Sequence, residues 1–242
     1  MSFGESAAIY NQARQSYSTA VMDKVADILA AAQKQAILDI GCGTGIATRQ
    51  LTACGFRPVG IDVDPDMIDE ARRLGQAGAY HVMGADRLDF ADAAFGGATA
   101  FGAFHWFSDD ASVRNIRRVL MPGAAFVVVN KNDAGDFREA IVDIVDRHVA
   151  LSHARPKAEY QPAGTLAAGG FHAVREDRIQ TMESLSIDQA VAHARSMRLW
   201  EEVPTSLHAA IEADLRDYVE RHLDASGMLP RPLVVTIVSG CR

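Results

Sequence analysis

The sequence predicts an α/β protein, a doubly wound, seven-stranded, mostly parallel sheet with helices on both faces. Three observations predict it. Short apolar runs alternate with helical segments five times before residue 131, as parallel strands joined by crossover helices require. A glycine-rich turn, Gly41-Cys42-Gly43-Thr44-Gly45, directly follows the first of those runs. Hydrophobic residues make up 48% and charged residues 23% of the 242 residues, enough apolar material for a sizeable core.

The elements follow in order. Val21, Val25, Ile28 and Leu29 recur at the spacing of one helical face. Ala36 to Ile40 is a short buried strand, and Ile46 to Cys54 is helical, with Gly55 suited to a left-handed cap. Pro58 to Asp62 is a second strand. Asp64 and Pro65 then form a cap and first-turn pair for a helix that Gly75 ends. Ala79 to Met83 and Thr99 to Phe104 are the third and fourth strands, the latter weakened by Gly97 and Gly102. Ala111 to Leu120 is helical, stopped by Met121-Pro122-Gly123, and Ala125 to Asn130 is the clearest strand. Phe137 to Leu151 is a helix, and Ser152 to Gly170 reads as a long loop with at most a short helical turn. Val174 to Leu185 is a strand, and Ser186 with Gln189 forms a capping-box pattern for the next helix. Leu207, Ile211 and Leu215 mark another helix, and Leu233 to Val238 is the last strand. The helices between the last two strands, residues 186 to 225, are expected to form a partial cover over the acceptor site.

Lys and Arg number 24 against 31 Asp and Glu, a net charge of −7, and no window collects a basic run. A long-range pull on nucleic acid is therefore not expected. Cys42, Cys54 and Cys241 are odd in number and lack metal-like spacing, which argues against a disulfide framework or a zinc site and favours a reducing compartment. No secretion-signal pattern opens the chain, and no apolar run approaches the ~20 residues of a membrane helix. A cytoplasmic location without a membrane partner is the expectation; oligomeric state is not legible.

The chemistry enters at Asp39-Ile40-Gly41-Cys42-Gly43-Thr44-Gly45. A strand running into such a turn and then a helix lets backbone approach a ligand beyond the strand's carboxyl end. The dinucleotide fingerprint asks for a glycine or alanine at the sixth position, where Ile46 stands, and Gly45 comes one place early. No Gly-Lys-Ser or Gly-Lys-Thr follows, which excludes a P-loop. An acid at Asp39 disfavours a pyrophosphate and suits an ammonium.

These residues resemble the first motif of the class I S-adenosylmethionine-dependent methyltransferases. Val59-Gly60-Ile61-Asp62-Val63-Asp64, Gly84-Ala85-Asp86 and Arg117-Arg118-Val119-Leu120-Met121-Pro122-Gly123 are similar to that family's later segments, in the same order. Met121 and Ala124 depart from the family's usual Lys and Gly there. Ala103-Phe104-His105-Trp106-Phe107 resembles the signature of a small-molecule branch that includes trans-aconitate methyltransferase-like enzymes. Tyr10 to Tyr17 resembles that branch's leader, with Gln15 and Ser18 where prolines are usual. The resemblance covers about residues 9–130.

The resemblance implies one domain over 1–242. An arm and helix (1–35) precede a cofactor-binding core (36–151) and a C-terminal part with loop, cover and last strands (152–242). It implies S-adenosyl-L-methionine as cofactor and a small-molecule methyl acceptor, with no metal. Gly41, Cys42, Gly43 and Gly45 would meet the methionine portion, with Asp39 near its ammonium. Asp62 would accept from both ribose hydroxyls, a match of two oxygens to a diol. Asp86 would take the adenine amino group, while Val63, Met67 and Arg87 or Leu88 enclose the ring; Phe104 would line the pocket, core filling being its other reading. Tyr10, Arg14, Tyr17, His105 and Trp106 would face the acceptor, His105 being the candidate base and otherwise a packed histidine. Arg195 and Arg198 are either anion ligands for the acceptor or a solvated helix face. An RNA or protein methyltransferase, and a cofactor-binding protein without transferase chemistry, are the other classes the sequence leaves open.

Overall fold

A computed structural model describes residues 14–75, 79–149 and 160–242. Seven strands form one sheet in the order β3-β2-β1-β4-β5-β7-β6. They are β1 (Ala36–Ile40), β2 (Arg57–Asp62), β3 (Ala79–Val82), β4 (Phe95–Phe101), β5 (Leu120–Asp133), β6 (His172–Leu185) and β7 (Leu229–Cys241). β1 to β5 pair in parallel, and β7 runs antiparallel to both β5 and β6. The doubly wound, mostly parallel sheet is therefore the one the sequence predicts.

Eight helices accompany it among the described residues: α1 (Thr19–Ile28), α2 (Ile46–Ala53), α3 (Pro65–Leu74), α4 (Asp110–Val119), α5 (Phe137–His148), α6 (Pro162–Ala168), α7 (Ile187–Arg195) and α8 (His208–Arg221). Strand alternation divides the core into two layers. Val127 and Val129 of β5 join Val21 and Val25 of α1 and Leu51 of α2. Phe126 and Val128 face the opposite layer with Val113 and Ile116 of α4 and Leu166 of α6. Each fully buried aliphatic or aromatic side chain there contributes roughly 1.5–3 kcal/mol of transfer free energy. A third cluster, with Ile141, Val191, Trp200 and Leu215, joins α5, α7 and α8.

The caps read from sequence are made. Asp64 accepts from the Asp66 N–H at 2.9 Å. Ser186 and Gln189 close a reciprocal capping box at 3.2 and 2.9 Å. Asp109, which the sequence reading did not single out, also caps α4, through the N–H groups of Ala111 and Ser112 at 2.9 and 3.0 Å.

Three expectations are corrected. β4 begins at Phe95 rather than Thr99 and ends before Phe104, because Gly96 and Gly97 are strand residues. A Cβ on Gly96 would lie 2.6 Å from Gln35 Cβ, and one on Gly97 2.7 Å from Leu29 Cδ2. Gly97, read as weakening the strand, and its neighbour Gly96 are therefore what let α1 and the turn after it close on the sheet. β5 starts directly at the end of α4, so Met121-Pro122-Gly123 lies within a strand and not in a loop. The predicted loop over 152–170 contains α6, with Pro162 at its first turn; residues 150–159 lie outside the described ones.

Candidate functional site

Because β1 to β5 are parallel, their carboxyl ends share one edge, and the predicted residues collect there. The turn after β1 holds three glycines at positive φ: Gly41 at 67°, Gly43 at 53° and Gly45 at 77°. Two are required by protein packing as well as by conformation. A Cβ on Gly41 would sit 2.5 Å from Ala103 Cβ, and one on Gly45 would sit 2.6 Å from the Tyr80 hydroxyl. Cys42 packs against Ile68, Ala71 and Tyr80. Burial pushes its thiol well above the usual range, helped by Asp39 and Asp62, so it fills space and is no nucleophile.

Two carboxylates flank the turn in different ways. Asp39 is 1% exposed. Its oxygens accept from Thr48 Oγ1 at 2.6 Å and Thr99 Oγ1 at 2.8 Å. Burial raises its carboxyl to about 6, the two threonine bonds opposing and the Asp62 charge adding. Asp39 therefore stands as a buried charge behind the turn, with both oxygens engaged. The threonines escape sequence reading because the pairing of Asp39 with Thr99 is a long-range register between β1 and β4.

Asp62, at the tip of β2, is half-buried. It accepts from the Gly43 N–H at 2.9 Å and the Asp64 N–H at 3.0 Å. Burial raises its carboxyl, and these backbone donors oppose that.

Beyond Asp62 a cavity of about 770 Å³ is lined by Val63, Val82, Met83, Gly84 and the segment 86–89. Val63 is 72% and Val82 49% exposed, two unusually bare apolar side chains facing one depression. Asp86 and Arg87 stand exposed at its rim, and Leu88 is buried beneath it. Met67 is buried on α3. A buried negative charge, a carboxylate at a strand tip and a cavity lined by bare apolar side chains together with Asp86, Arg87 and Asp89 thus succeed one another along the edge. That succession fits a ligand with a cationic end, a diol and a flat ring.

Past β4, a short 3₁₀ turn carries Phe104, His105 and Trp106. Phe104 is a correction: it is fully buried and packs edge-on against Phe107 and Phe126, with ring centres 5.6 and 5.4 Å away. Its ring belongs to the core. Trp106 points the other way, 54% exposed. His105 lies between Trp106 at 4.7 Å and Tyr160 at 6.0 Å. Burial pushes the Tyr160 phenol up to about 12, with Asn130 beside it.

Arg198, from the cover between α7 and α8, lies 5.6 Å from the centre of the Trp106 ring. The segment between α7 and α8 therefore reaches this turn, whereas Arg195 turns to Glu212 at 3.5 Å. Tyr17 packs on Phe101 at the end of β4, ring centres 4.8 Å apart. Arg14 lines a second cavity of about 320 Å³ with Ser16, Arg49 and Gln50. Tyr10 lies outside the described residues. Among the described residues no group of His, Cys, Asp and Glu could hold a metal ion, and no helix is long and apolar enough to cross a membrane.

Residues 38–128 match the methyltransferase domain family. The O-methyltransferase resE of Aspergillus sclerotiorum is 37% identical over 110 residues, 42% of this chain and 42% of that protein. The malonyl-[acyl-carrier protein] O-methyltransferase of Erwinia billingiae is 30% identical over 122 residues, 50% of this chain and 48% of that one. These matches span about half or less of the relatives' length. The YcgJ protein of Bacillus subtilis shares the fold, with a TM-score of 0.60 at 19% identity over 93% of this chain and 99% of that chain.

Proposed function

We propose that this chain, whose residues 38–128 match the methyltransferase domain family, is a class I S-adenosylmethionine-dependent methyltransferase that methylates a small-molecule acceptor. The single observation that carries the reading is the bonded unit of the glycine turn and Asp62, backed by the buried Asp39. A diphosphate placed at this turn would meet two carboxylates; an amino-acid ammonium followed by a ribose meets complementary charge and two acceptor oxygens.

S-adenosylmethionine, when bound, supplies a methyl group already activated on a sulfonium. The backbone of Gly41, Cys42, Gly43 and Gly45 would hold its methionine portion, and Asp62 its ribose hydroxyls. Val63, Met83, Asp86, Arg87 and Leu88 would hold the adenine, with Met67 supporting from α3. The protein's own contribution is alignment, worth ~7–11 kcal/mol when reactants are held in near-attack geometry. Tyr17 on Phe101, and His105 with Trp106 and Tyr160, are the aromatic groups past β4 that would flank the acceptor. A carboxylate acceptor needs no base. A hydroxyl acceptor does, and His105, between Trp106 and Tyr160, is the imidazole at that end.

The small-molecule part rests on the acidic balance of the chain, −7 overall, and on the aromatic side chains past β4. The O-methyltransferase names of two relatives support it. Three free cysteines suit a reducing, cytoplasmic setting. The test is methyl-labelled S-adenosylmethionine offered with small carboxylic acids, phenols and amines, with tRNA, and with protein. Label in a small acid, phenol or amine is expected. Label confined to RNA or protein overturns the acceptor class, and no labelled product with tight cofactor binding overturns transfer itself.

A further inference from the structure

At the same edge, beyond β5, β6 and β7, lies a buried ion network that the proposed chemistry does not use. Arg231 Nε and Nη2 donate to the two Asp133 oxygens at 2.6 and 2.8 Å, and its Nη1 donates to Glu183 Oε2 at 2.8 Å. The other Glu183 oxygen accepts from Lys131 Nζ at 2.6 Å. Two cations and two acids thus balance, and Arg231 fixes Glu183 where it aims Lys131.

Lys131 has further partners. Its Nζ donates to the carbonyl oxygens of Gln15 at 2.8 Å and Ser16 at 3.4 Å, and it lies 4.5 Å from the centre of the Tyr17 ring. The same short segment is tied on both flanks. Gln50 of α2 accepts from the Tyr17 N–H at 2.9 Å and donates to the Tyr17 carbonyl at 2.7 Å, and Gln15 Nε2 donates to the Ser184 carbonyl at 2.7 Å. The Lys131 ammonium has three protons, and Glu183 takes one of them. Here its remaining protons go to backbone carbonyls that are more than a hundred residues away in sequence.

The strap so held crosses the end of β4. Tyr17 packs on Phe101, and its hydroxyl lies 3.7 Å from where a Cβ on Gly102 would stand. Gly102, at φ +63°, begins the bend into the His105-Trp106 turn. We propose that Lys131, aimed by the Glu183–Arg231–Asp133 network, is a positioning residue that fixes residues 15–17 as one wall of the methyl-transfer site. This rests on the methyltransferase reading for what the wall encloses, but not for the existence of the strap.

The test compares Lys131→Met with Lys131→Arg and the parent by amide hydrogen exchange and by steady-state kinetics. In Lys131→Met, exchange at residues 15–18 should rise about tenfold while β1 and β2 are unchanged. The acceptor KM should rise roughly tenfold with a smaller change in kcat, and Lys131→Arg should restore much of both. Gln50→Ala, which frees the strap without touching the ion network, should reproduce the KM effect if Lys131→Met fails to fold. Unchanged exchange in a folded Lys131→Met overturns the clamp, as does a rise in exchange with acceptor kinetics intact. Failure of the parent to bind S-adenosylhomocysteine would instead strike the functional reading, and the exchange comparison would stand apart from it.

Discussion

The backbone N–H of Gly43 donates to Asp62 Oδ2 across 2.9 Å, so the turn after β1 and the tip of β2 form one bonded unit. The other Asp62 oxygen accepts from Asp64, at the start of the helix that follows β2. One carboxylate thereby sets the position of both ligand-facing loops while offering its remaining lone pairs outward.

Asp62→Ala is accordingly expected to weaken S-adenosylhomocysteine affinity by at least about tenfold, the loss of charge-assisted hydrogen bonds. Titration calorimetry measures it. An unchanged dissociation constant would remove Asp62 from the ribose role.

Asp39 gives a pH dependence whose sign is unusual for a carboxylate. Burial lifts its folded-state value from 3.8 to about 6, so between those values the native state keeps a proton that the unfolded chain has shed. Its contribution to stability therefore falls as pH rises through that window, and the ionised form costs of the order of 3 kcal/mol above it. Asp39→Asn should melt at a higher temperature than the parent at pH 7.5, with the gap closing toward pH 4. Melting curves of both proteins across that range decide it; a gap independent of pH would contradict the assignment.

The glycines of the turn separate by what surrounds them. Gly41→Ala places a Cβ 2.5 Å from Ala103 Cβ at a φ of +67°, combining overpacking with backbone strain. A loss of about 2–4 kcal/mol is expected. Gly123→Ala, at φ +78° with nothing within 4 Å, carries the backbone cost alone, about 1–2 kcal/mol. Urea denaturation of the two variants compares them, and equal losses would deny the contact with Ala103 its role.

Phe104 and Trp106 are two positions apart and should behave oppositely. Phe104→Ala removes a fully buried ring and is expected to cost about 3–5 kcal/mol. Trp106→Ala, at a ring 54% exposed, should stay within about 0.5 kcal/mol in stability and act on the acceptor KM. Thermal denaturation beside acceptor kinetics checks both; a Trp106→Ala variant as unstable as Phe104→Ala would place that ring in the core.

What was legible in the sequence was local. Ala36 to Ile40 stands out because five residues of β1 run straight into glycines, and Asp64 and Ser186 announce helix starts through side chains that reach only two or three residues. What was hidden depends on residues far apart. Gly97 reads as a breaker because its partner, Leu29, lies nearly seventy residues earlier. Thr99 meets Asp39 only through strand register, and a lone Lys131 gives no sign that it binds Gln15. Phe104 was misplaced because a bend after a strand resets the alternation that says which side chains face inward.

The most direct test of the whole reading is calorimetric titration of the purified protein with S-adenosylhomocysteine beside a nicotinamide and a flavin dinucleotide. Saturable uptake of S-adenosylhomocysteine at one site per chain, with neither dinucleotide bound, is the expected result. Uptake of a dinucleotide with no heat from S-adenosylhomocysteine would contradict it.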